Sequence, residues 1–236
     1  MAAIAGGGSR GPGTAARLAL WMALTVALQG ALWTTGFKTA AMTEAIERGA
    51  ARAETLRMAE VGDDLVRKAV RSQEATRPFW TTLGLLGDFV VEPLALPLRA
   101  LAVATLLAGL AALLGRPPDF ARALAEDADL QGIWVLGLAT RAALSIALRR
   151  PGSDTSLTLA FSPGTYPAPF WVALHQFDAF ALLGWALLAR GAWGRGQANL
   201  AVASFVCAGL FCAESAARIV LTLIFEGGMR LSLIPE

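Results

Sequence analysis

Apolar residues gather along this chain into five long runs, roughly Leu18–Phe37, Leu94–Leu114, Gly132–Leu148, Phe170–Ala189 and Leu200–Phe225. Charge, proline and glycine return between them. A helix needs about 20 mostly apolar residues to cross a hydrocarbon core about 30 Å thick. Lipid offers no partners for open backbone groups, so such segments must satisfy their own hydrogen bonds as helices. The pattern therefore predicts an all-α, polytopic integral membrane bundle of about five transmembrane helices.

The connecting pieces differ in character. Residues 1–17, glycine-rich at first, read as a flexible tail ahead of a first span at 18–37, which is too long for a usual signal-peptide core and reads as a retained signal anchor. Residues 38–78 carry charges of both signs, with Met42, Ile46, Leu56, Val61, Leu65 and Val70 recurring at mixed helical steps. This segment is predicted to be an amphipathic extramembrane helix, or two. Extended as one helix over Lys38–Glu74, it would reach about 55 Å. Three settings suit it: the bilayer surface, a folded-back hairpin, or the face of a partner subunit. Pro78 ends it. Residues 79–93 read as an interfacial helix leading through Pro93 and Pro97 into a four-helix membrane bundle over 94–225, and 226–236 form a C-terminal tail. Within the bundle, Phe120, Leu124 and Leu130 mark a short amphipathic helix on the lipid surface. Residues 149–169 are broken by glycine and proline into a non-helical loop.

Composition agrees and narrows the function classes. Charged residues make up 16% of the 236 residues, below the roughly 25% of soluble domains, and five spans leave no room for a separate catalytic domain. A net charge of +2 with no basic patch argues against nucleic acid. Cys207 and Cys212, five apart on one helix, face different directions and read as packing residues without a disulfide. A single histidine and no zinc-type cysteine spacing exclude the usual metal centres. No phosphate loop, nucleophile–base motif or paired CxxC appears, so neither a cofactor nor a catalytic residue nor a small-molecule substrate is indicated. Arg10, Arg17, Arg116, Arg122, Arg190 and Arg195 fall on one side of the predicted spans. That bias predicts a cytoplasmic N-terminus and an extracytoplasmic C-terminus in the cell's inner (cytoplasmic) membrane.

Ionisable residues inside spans each require a partner, because an ionised side chain at the bilayer centre costs at least about 2.5–3.5 kcal/mol. The candidates are Arg99, Arg141, His175, Asp178, Glu214 and Arg218. Arg99, near the start of its span, is expected to snorkel. Glu214 and Arg218 stand four apart in the favourable order for an ion pair along one helix. His175 and Asp178 are three apart, on one face of the fourth span, and Arg141 is the expected partner of Asp178 or Glu214. Arg141, His175, Asp178, Glu214 and Arg218 thus form the predicted intramembrane polar cluster. No broken-helix pair is evident. Small residues such as Ala104, Ala108, Gly132 and Gly137 allow close helix approach.

The second half also resembles the Yip1-domain family of membrane proteins. Gly115–Arg116–Pro117–Pro118–Asp119–Phe120, followed by Ala121–Leu130, is similar to the family's short loop and amphipathic stretch. Across Phe170–Gly191, the positions Leu174, Asp178, Phe180, Trp185, Leu187, Leu188 and Gly191 resemble its leucine, Asp–x–Phe and apolar run ending in glycine. The chain departs from the family's pattern in lacking the acidic N-terminal motif of eukaryotic members and in carrying the long helical insertion at Lys38–Glu74, and the likeness is to the family's bacterial members in particular. It implies a non-enzymatic helper, some relatives accompanying ABC exporters. Membrane lipids and other membrane subunits are then the expected partners. The alternative expectation is a small proton- or ion-coupled transporter using Arg141, His175, Asp178 and Glu214.

Overall fold

The structure, a computed structural model, describes residues 13–44, 71, 75, 77–149, 153–161 and 168–231. The expected amphipathic segment of 38–78 therefore lies mostly outside the described residues, and so does most of the N-terminal tail. Helix α1 (Thr14–Thr34) begins inside what the sequence assigned to that tail. It ends where Gly36 takes φ +79°, a left-handed turn that costs glycine nothing, and helical backbone resumes over 37–44.

Next come α2 (Arg77–Leu86), a π turn (Gly87–Val91) and α3 (Glu92–Leu113). They form one helical run of 37 residues rather than an interfacial helix joined to a separate span. Pro93 and Pro97 lack the N–H that a helix requires, and each ring crowds the preceding turn. The run widens into the π turn just upstream of Pro93, the usual form of a local expansion, while Pro97 stands inside α3.

Helix α4 (Phe120–Leu130) is capped by Asp119, whose side chain accepts the Arg122 N–H. It leads through Gln131 into α5 (Gly132–Leu148). Contrary to the expectation of a surface helix, α4 packs against α1, α3 and α7 and buries Ala123, Asp127 and Ala128. A 3-10 turn (Leu157–Ala160) follows, then α6 (Ala168–Gln176), α7 (Ala179–Gly194) and α8 (Leu200–Leu231). The last helix continues through part of what was expected to be a C-terminal tail.

Among the described residues, four helical runs are long and apolar enough to cross a membrane: Thr14–Thr34, Arg77–Leu113, Phe120–Leu148 and Leu200–Thr222. The fifth apolar stretch is two shorter helices, α6 and α7, where the sequence suggested one. This is a membrane-embedded, multi-pass, all-helical protein. Its outer surface presents Leu98, Leu113 and Phe205, which are 63%, 86% and 82% exposed. That coat suits acyl chains and would be costly against water.

Inside, Val103 and Leu107 of α3 meet Trp185, Leu188, Ala189 and Ala192 of α7, with Ala203 and Cys207 of α8 closing the core. Helices gain little from apolar transfer when lipid is the alternative, so close approach must supply the attraction. Gly184 of α7 is the tightest case: a Cβ there would lie 2.4 Å from the Trp134 ring. The same holds for Gly137, where an added Cβ would meet Phe180 at 2.8 Å. Cys207 is buried and Cys212 exposed, both as free thiols.

Candidate functional site

The break between α6 and α7 organises the polar interior. Asp178 has extended backbone, φ −80° and ψ 140°, and caps α7 by accepting the N–H groups of Phe180 and Ala181. A break between two helices leaves backbone groups in need of partners. Residues 155–157 of the loop between α5 and α6 provide them. Leu157 N–H donates to Phe177 O at 3.1 Å, Ala179 N–H donates to Thr155 O at 3.2 Å, and Ser156 pairs with Asp178 as an isolated antiparallel bridge. The second oxygen of Asp178 accepts from the Thr155 hydroxyl and, at 3.2 Å, from Arg141 Nη1. The loop thus stitches the break shut, a role its glycines and prolines did not advertise.

That break separates two residues which the sequence set on one helical face. His175, at the end of α6, instead places Nδ1 3.3 Å from Asp154 Oδ2. Asp154 also collects the N–H groups of Thr155 and Ser156 and the hydroxyls of Ser156 and Thr158. Burial acts to raise the Asp154 pKa, but these hydrogen bonds, with His175 nearby, together outweigh it and hold the carboxyl below its ordinary value.

A second knot lies deeper. Arg99 is 6% exposed and does not snorkel. Its Nε donates to Glu214 Oε2 at 3.0 Å and its Nη2 to the other oxygen, a bidentate grip, while Nη1 reaches Gln131 Oε1 at 3.2 Å. Its guanidinium sits 4.2 Å from the Trp134 ring centroid. Arg218 donates to Glu214 at 3.0 Å, as the i, i+4 spacing predicted, and also to Glu92 across the bundle. Long snorkelling paths lose here to a planar fork that finds a carboxylate on the neighbouring helix.

All five residues of the predicted cluster, Arg141, His175, Asp178, Glu214 and Arg218, line one cavity of about 110 Å³, together with Glu92 and Arg99. A second cavity of about 290 Å³ shares Glu92, Trp134, Arg141 and His175 as lining residues and adds Gln29, Lys38, Asp88 and Asp154. Lys38 and Trp33 both donate to Asp88, at 3.0 and 2.9 Å. The sequence missed Glu92, Arg99 and Asp154 as members. Glu92 carried a signal, since it opens a span directly before Pro93. Asp154 sits in a loop and carried none.

A further buried group stands apart at the C-terminal end of α7, against α4. Arg195 pairs with Glu126 at 3.1 Å and with the fully buried Asp127 at 3.0 Å, and its Nε donates to Gln197. Among the described residues no group of three His, Cys, Asp or Glu side chains is arranged to hold a metal ion. The chain matches no family model, no curated protein and no solved structure.

Proposed function

We propose that this chain is a non-enzymatic accessory subunit of a larger membrane complex, with its bundle locked by internal ion pairs. One observation carries the reading. Three arginines, Arg99, Arg141 and Arg218, meet three carboxylates, Glu214, Asp178 and Glu92, across α3, α5, α7 and α8. A closed, internally neutral set fixes helix positions. No nucleophile and base stand together in it. The charged segment between α1 and α2 supplies the docking arm, and the bacterial Yip1-like resemblance agrees with a helper role beside a transporter such as an ABC exporter. Arginine bias sets the N-terminus in the cytoplasm and the C-terminus outside, in the inner membrane. Gentle detergent extraction followed by mass spectrometry tests this: partners should co-purify with the full chain and vanish when Thr43–Ser72 is deleted. A chain that travels alone, or unchanged partners after deletion, would refute it.

A second reading, a small proton- or ion-coupled transporter, is favoured by the helix break at Asp178 beside a polar cavity, since carriers use discontinuous helices to build midplane sites. Reconstituted flux that is abolished by Asp178→Asn would support it; absence of flux in the native chain removes it.

A further inference from the structure

Helices α3 and α8 run antiparallel, with Arg99 meeting Glu214 at one level and Leu107 sharing the core with Cys207 further along. Their lipid-facing sides diverge beside that core and leave an apolar groove of about 540 Å³. Gly109 on one bank and Gly209 on the other keep it open, since a Cβ at either would meet nothing within 4 Å. The groove is shorter than a membrane is thick. Along α3 it extends from Thr105 to Leu113, about 12 Å at the helical rise, and it stops short of the Arg99–Glu214 pair. One leaflet supplies about 15 Å of hydrocarbon, half of the bilayer core. A transmembrane helix of another subunit needs a face along the whole span, whereas one acyl chain needs only this depth.

The end of the groove beside Leu113 carries charge. Arg116 lies three residues beyond Leu113 and crosses from the end of α3 to the turn before α8, where Nη1 donates to Gly196 O at 2.8 Å. Arg122 and Arg195 each hold a carboxylate. Arg116 is exposed, and among the described residues neither a carboxylate nor any second acceptor takes up its remaining N–H groups.

We propose that this groove seats one acyl chain of an anionic phospholipid, whose phosphate is held by Arg116. The two features are in register: an apolar channel one leaflet deep, then a cation with free donors at the level of the headgroups. A planar guanidinium matches the oxygens of a phosphate. A zwitterionic lipid brings its own cation to the phosphate and gains little from a second. An anionic lipid leaves its negative charge open, so charge complementarity selects the anionic class. The contact needs no partner subunit, so it and the accessory reading can each fail alone.

The test uses the purified full chain, delipidated in detergent and titrated with phosphatidylglycerol, with phosphatidylcholine as the zwitterionic control. Native mass spectrometry counts bound lipids, and the thermal midpoint follows saturation. One phosphatidylglycerol should bind per chain at least tenfold more tightly than phosphatidylcholine, with a preference that shrinks as salt rises. Glycerol 1-phosphate, a phosphate without acyl chains, should bind at least tenfold more weakly than phosphatidylglycerol. Arg116→Gln should bring phosphatidylglycerol down to the phosphatidylcholine level. Gly109→Leu and Gly209→Leu, which fill the groove, should each weaken phosphatidylglycerol at least tenfold while circular dichroism stays native. If one leucine variant does not fold, the other and Arg116→Gln decide. Equal affinity for the two lipids, native affinity in Arg116→Gln, or native affinity in the folded leucine variants means an unselective lipid coat and overturns the proposal. A dimer that phosphatidylglycerol leaves intact and Gly109→Leu dissolves would give the groove to a second copy and overturn it too.

Discussion

Arg99 and Glu214 lie 115 positions apart in sequence and meet side by side, two guanidinium nitrogens on two carboxylate oxygens. The pair clamps α3 to α8, and Trp134 of α5 lies against the guanidinium. Arg99 is nearly inaccessible, so removing either member strands a buried charge. Arg99→Met should lower stability by about 3–5 kcal/mol. The double variant Arg99→Met/Glu214→Leu should recover part of that loss. Thermal unfolding in detergent, analysed as a double-mutant cycle, measures the coupling. A single variant as stable as the native chain would show that the clamp contributes nothing.

The glycines of the bundle should separate into two classes. Gly184→Ala forces a methyl into the Trp134 ring and should cost about 1–3 kcal/mol through overpacking. Gly109→Ala meets open space. It should be neutral or stabilise by up to about 1 kcal/mol, as expected for alanine in a helix interior. Comparing the two midpoints under one condition checks this.

Asp178 acts as a cap and as an ion-pair partner, and the two roles can be parted. Asp178→Asn keeps an acceptor for Phe180 and Ala181 while giving up its charge towards Arg141. Asp178→Ala loses both. The alanine variant should be less stable by about a further 1 kcal/mol, the typical worth of an N-cap. Hydrogen exchange at the first turn of α7 should quicken in Asp178→Ala and stay closer to native in Asp178→Asn.

Acid should loosen the loop between α5 and α6 through Asp154. Its folded pKa lies below the ordinary value of 3.8. The stabilisation is therefore full well above pH 3.8 and is lost as pH falls through the lowered folded value. Amide exchange at Thr155 and Ser156, whose N–H groups Asp154 accepts, should accelerate relative to its intrinsic rate over that window. Asp154→Asn should flatten the profile. A native profile with no acid limb would count against this network.

The two thiols should differ in reach. A lipid-soluble maleimide should label exposed Cys212 readily and buried Cys207 only after unfolding. Equal labelling of the native chain would contradict the packing of α8.

Much of the fold was legible because hydropathy is a property of segments. A run such as Leu200–Phe225 needs no distant partner to declare itself a helix in lipid. The cost of buried charge likewise made it legible that Arg141, Asp178, Glu214 and Arg218 had to face neighbours. Which neighbours they face was not legible. One aspartate in an apolar run gives no sign whether its carboxylate continues a face or caps a new helix. That choice at Asp178 depended on Thr155, 23 positions away, arriving to satisfy the opened backbone. Arg99 read as a residue free to reach the headgroups until Glu214 and Gln131 were set beside it. The sequence alone determined a helical, lipid-solvated chain with polar groups turned inward. Only the tertiary structure decided where the helix breaks and how the ion pairs are shared, because hydrogen bonds and ion pairs depend on distances between segments that periodicity along one segment does not contain.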